Sequence, residues 1–116
     1  MEQKQAIANI INWMEEKKAV HIKHIDVTGE TDFTDHLIIC SGTADLHNKA
    51  IAENIIQNAK ENGMQILSTE GKNSSTWMLI DFGDIIVHIF SQDKREYYKL
   101  EDLYVVDSRT KKETKE

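Results

Sequence analysis

A single cysteine, Cys40, leaves this chain of 116 residues without an internal disulfide. Set in the apolar run Leu37-Ile38-Ile39-Cys40, it reads as a small buried hydrophobe in a reducing compartment rather than as a catalytic thiol. Long apolar runs are missing too. No stretch approaches the ~20 residues that span a bilayer, and Met1-Glu2-Gln3-Lys4 does not begin a signal peptide. A soluble, cytoplasmic protein is expected. There is no basic excess either: the formal charge of −6 opposes a surface built for nucleic-acid phosphates, which relies on clustered lysine and arginine, and makes a basic protein the easier partner.

Metal-ligand spacing is equally sparse. His21 and His24 have no cysteine or third histidine nearby, and a three-residue offset in a strand puts them on opposite faces, so both read as exposed side chains. No pair of acidic residues stands two apart on one strand, the spacing that would aim two carboxylates at a metal pair.

What is present is one domain's worth of amphipathic pattern, with 40% apolar residues. Residues 1–105 are expected to form that domain. Residues 106–116, where Lys111, Lys112 and Lys115 alternate with Glu113 and Glu116, are expected to be a polar, frayed tail.

Ile7, Ile10, Ile11 and Met14 share one face of a helix over Glu2 to Lys17, with Trp13 at its rim. Val20, Ile22, Ile25 and Val27 alternate with polar residues across one irregularity, predicting a strand with a bulge. His36 to Ser41 is apolar enough for a strand buried on both faces. Thr43 is placed to cap a helix over Ala44 to Asn62, with Asp45 in its first turn, Ala52, Ile55, Ile56 and Ala59 buried, and Gly63 as its left-handed end. A strand over Met64 to Glu70 leads through Gly71-Lys72-Asn73-Ser74 into a hairpin from Trp77 to Phe90, and Asp93 to Leu103 is expected to be a short helix. The fold class that follows is α/β, a mixed sheet packed with helices.

The hairpin carries polar groups inside apolar strands. Trp77, Leu79 and Asp81 fall on one face, Met78 and Ile80 on the other; His88 alternates with Ile86 and Phe90, opposite Ile85, Val87 and Ile89. Asp81-Phe82-Gly83 matches the kinase metal-binding tripeptide, but the chain lacks a kinase's Gly-rich and catalytic loops, and a tight turn explains the glycine better. Asp81 and Asp84 would then hydrogen-bond the turn's amides. Ser41-Gly42-Thr43 at a strand-to-helix junction is a candidate phosphate cradle with Asp45 and Asp81 as carboxylates, yet the missing pair points to an absent or degenerate catalytic site. If helices cover only one face, the other keeps an apolar stripe led by Trp77, the kind of patch that marks a partner.

Taken as a set, the residues resemble the ribosomal silencing factor family, RsfS or Iojap. The match runs through Ile38-Ile39-Cys40-Ser41-Gly42-Thr43, His47, Ala50-Ile51-Ala52 and Glu70-Gly71. It continues through Trp77-x-Leu79-x-Asp81-x-Gly83-Asp84-x-x-Val87-His88-x-Phe90 and Arg95-x-x-Tyr98-x-Leu100-Glu101-x-Leu103. Tyr104 stands where that family usually has tryptophan, and Leu46 where arginine is common. The resemblance implies a nucleotidyltransferase-like fold without the catalytic carboxylate pair, and hence no enzyme and no cofactor. It also implies binding to the large ribosomal subunit through its protein L-fourteen, which blocks joining to the small subunit and lowers translation when nutrients are scarce. The residues placed at that contact are Trp77, Leu79, Asp81 and Tyr98. A degenerate nucleotide-binding enzyme is the alternative, and a homodimer through a sheet edge or the same apolar face is compatible with the first reading.

Overall fold

The computed structural model describes residues 2–71 and 76–92. Along these run α1 (Gln3–Glu16), β1 (Val20–Asp26), β2 (His36–Gly42), α2 (Asp45–Glu61), β3 (Ser68–Glu70), β4 (Trp77–Asp81) and β5 (Ile85–Ser91). The strands form one sheet in the order β1-β2-β5-β4-β3. At its centre β2 and β5 run parallel, with Ile38 beside Val87; the other neighbouring pairs are antiparallel. The expected helix over Asp93 to Leu103, the 106–116 tail and Tyr98 lie outside the described residues.

Both central strands are apolar on both sides because both sides are packed. Ile38, Cys40, Val87, Ile89, Met78 and Ile80 meet Ile10 and Met14 of α1 and Ile51, Ala52, Ile55 and Ala59 of α2 in one buried cluster. Leu37, Ile39, Ile86 and Phe90 form a second cluster with Ile25 and Val27, and no described helix contributes to it. The expected bare stripe on that face is therefore narrower than alternation suggests. Its centre is buried, and accessibility is left to the β4 row.

Three local expectations are corrected. Trp13 is buried, not a rim residue: the stripe of α1 meets α2 as well as the sheet, so a position beside the stripe is also covered. Thr43 does not cap α2 with its hydroxyl; Ala44 is the N-cap and makes no side-chain capping bond. The strand expected from Met64 forms a ladder only over Ser68–Glu70, because Met64 and Ile66 turn in against the helix-side cluster.

Other local signals hold. The irregularity in β1 is a register shift between Val20 and Lys23, with His21 at φ +53°. At the end of α2 the Gly63 amide donates to the Lys60 carbonyl at 3.2 Å and the Met64 amide to the Ala59 carbonyl at 2.9 Å. With Gly63 at φ +75°, this is a Schellman closure.

Candidate functional site

Register places the candidate residues in rows across the sheet face that carries the second cluster. One row runs Ser41, Phe90, Trp77; the next Lys23, Ile39, His88, Leu79, Glu70; the third Ile25, Leu37, Ile86, Asp81, Ser68. Trp77, Leu79 and Asp81 thus stand side by side along β4, as expected. Glu70 and Ser68 of the edge strand β3 are exposed next to them, a neighbourhood that follows from pairing and that no local sequence signal announces. The result is an apolar row with an acidic margin.

Trp77 is the accessible member, 39% exposed. It is held from beneath: its indole Nε1 donates to His88 Nδ1 at 3.1 Å. The Trp77 and Phe90 rings stack with centroids 5.3 Å apart, and His88 lies parallel to Phe90 at 5.8 Å. Burial pushes the His88 imidazole down to about 4, so at neutral pH the ring is uncharged and a nitrogen lone pair is available to accept. Beside the β4 backbone Gly71, at φ +79°, packs so closely that a Cβ there would meet the Trp77 carbonyl.

The turn after β4 needs no metal to explain its carboxylate. Asp81 Oδ1 accepts from the Gly83 amide at 2.8 Å, and the Phe82 amide donates to the Ile85 carbonyl at 2.9 Å. Gly83, at φ +96°, takes the first central position of the turn, where positive φ matches the strand twist. Asp84 serves through its backbone. Its carbonyl accepts from the amides of Asp35 at 3.1 Å and His36 at 3.0 Å, which ties the turn to the start of β2.

The phosphate-cradle alternative fails on geometry. Asp81 aligns with Leu37 through Ile86, four positions along β2 from Ser41, roughly 13 Å at strand rise. The junction itself is filled by the chain's own side chains. His47 Nδ1 accepts from the Thr43 amide at 2.9 Å while its Nε2 reaches the Lys17 carbonyl at 2.6 Å. A Cβ on Gly42 would strike the Asn48 amide.

A second histidine group lies on the helix face. His24 Nε2 and His36 Nδ1 are 2.9 Å apart, His36 Nε2 is 3.0 Å from Gln3 Oε1, and Gln3 Nε2 donates to Asp35 Oδ2 at 3.3 Å. His24 is indeed exposed, but it is paired. Among the described residues no group of three or more His, Cys, Asp or Glu has the arrangement of a metal site.

The pattern of the family described as "Ribosomal silencing factor during starvation" matches residues 1–116. The chain belongs to the ribosomal silencing factor family. A relative in Haemophilus influenzae, "Ribosomal silencing factor RsfS", is 42% identical over 87 residues, 75% of this chain and 85% of that protein. The mouse protein "Mitochondrial assembly of ribosomal large subunit protein 1" is 28% identical, covering 85% of this chain and 45% of that one. A crystal structure of a Chromobacterium violaceum protein superposes with a TM-score of 0.87 at 31% identity, covering 90% of this chain and 87% of that one. The fold described here is therefore one also observed in a crystal.

Proposed function

We propose that this protein binds the large ribosomal subunit through protein L-fourteen and, by occupying that surface, keeps the small subunit from joining, a translational brake under nutrient limitation in the cytoplasm. The contact is made by Trp77, Leu79 and Asp81 of β4, with Tyr98. The observation that carries this reading is the β4 row, in which an accessible Trp77 is held over a buried aromatic pair, Glu70 lies beside Leu79, and Asp81 closes the far end. A large aromatic anchor with an acidic margin suits a basic ribosomal protein, and tryptophan is among the residue types that dominate binding energy. The mouse relative's name connects that protein with the large subunit. No catalytic step is part of this function, because the protein acts by exclusion.

The test is sedimentation with separated subunits. The protein should travel with the large subunit and deplete joined ribosomes; joining that proceeds unchanged at saturating protein would refute the model. Trp77→Ala should lower co-sedimentation at least tenfold while the melting profile stays cooperative.

A further inference from the structure

The indole of Trp77 has one polar atom, a donor, and it is spent inside the protein. Nε1 points across the sheet at His88 Nδ1, so the accessible part of the side chain is mostly hydrocarbon. Trp77 pairs with Phe90 and lies diagonal to His88. The two rings it leans on are nearly coplanar in orientation, 3° apart. A donor satisfied before docking does not have to be desolvated by the partner, and an indole fixed in one rotamer loses less freedom on binding.

We propose that His88 is the positioning residue of the docking face: its Nδ1 fixes the Trp77 indole with the N–H turned inward, so that the partner meets an apolar plate and needs only an apolar pocket there, not an acceptor. This rests on the docking role of Trp77 given above. It requires the His88 proton to sit on Nε2, leaving Nδ1 as the acceptor. The burial that keeps the ring neutral maintains that acceptor at cellular pH. Phe90, 1% exposed, supplies the floor of the stack.

The experiment uses the isotope-labelled full chain. In the wild type, long-range proton–nitrogen spectra of His88 should show the Nε2–H tautomer; an Nδ1–H tautomer overturns the proposal without any variant. His88→Phe keeps a ring and removes the acceptor, whereas His88→Asn restores an oxygen near the position of Nδ1. The Trp77 indole proton, identified by its loss in Trp77→Phe, should move toward the solvent-exposed value in His88→Phe and hold its place in His88→Asn. Large-subunit binding should weaken about fivefold in the first and stay within about twofold in the second, the size expected for one hydrogen bond. An unmoved indole signal in His88→Phe, or equal loss of binding in both variants, would mean that His88 only fills space. The spectra need no ribosome, so this failure is distinct from that of the docking reading, which Trp77→Ala tests.

Discussion

His88 shows how a single buried titratable group couples this fold to pH. Its folded value lies near 4, below the ordinary histidine value of about 6.5. The unfolded chain therefore takes up the proton first as pH falls. The contribution is fully present above pH ~6.5, declines through the window between ~6.5 and ~4, and amounts to about 3 kcal/mol. Urea midpoints measured across that window should fall with acidification, and His88→Phe should flatten this part of the profile. His24 acts in the same sense, lowered by desolvation and then by the neighbouring His36, and so adds to the acid loss. Alternation in the sequence placed His88 on one face of its strand with Ile86 and Phe90. It could not name the indole as its partner, because a diagonal contact depends on the register between two strands. Gly71 is a second residue of this kind. Its positive φ and its approach to the Trp77 backbone mean that Gly71→Ala should cost about 1–3 kcal/mol, read as a lower melting temperature.

At the scale of elements, the join between α1 and α2 rests on a side chain that the capping rules pass over. His47 takes the amide ahead of α2 with one nitrogen and the Lys17 carbonyl past α1 with the other. His47→Ala should lower stability by about 1–2 kcal/mol in chemical denaturation, by removing a capping acceptor and a tertiary tether together. The signal S/T before a helix suggested Thr43 as the cap. The structure uses the Thr43 amide and brings the acceptor from a turn later. Periodicity served better where it reported burial: β2 and the alternation of β5 are as expected, since core packing enforces them. It served worse for Met64 and Ile66, whose apolar character suits a loop tucked under helices as well as it suits a strand. Edge β1 is blunted by the positive-φ bulge at His21, a device that discourages edge-to-edge pairing. Light scattering over a range of concentrations should accordingly show no association through β1.

For the whole molecule, the two faces of one sheet are loaded differently. The helix side is a conventional core. Ile55→Ala, on a fully buried residue, should cost about 2–5 kcal/mol by calorimetry. The other side combines a buried centre with an accessible β4 row and acidic neighbours, in a chain of net charge −6. Attraction to a basic partner across such a face is screened by salt, so large-subunit affinity should fall as ionic strength rises from low to physiological. A rise would point to a contact dominated by apolar burial alone.

The parallel pair at the centre of the sheet also governs when the molecule can come into being. Ile38 lies between His24 of β1 and Val87 of β5, so the central parallel pair cannot form until almost all of the described chain has left the ribosome that is making it. The β4–β5 hairpin can close early from local contacts, but it must then wait to be inserted beside a strand synthesised long before, a slow type of closure. During that interval the apolar β2 strand has only β1 beside it. A protein proposed to act on finished ribosomal subunits in this way sets its docking row on a completed sheet only when its own synthesis is nearly over.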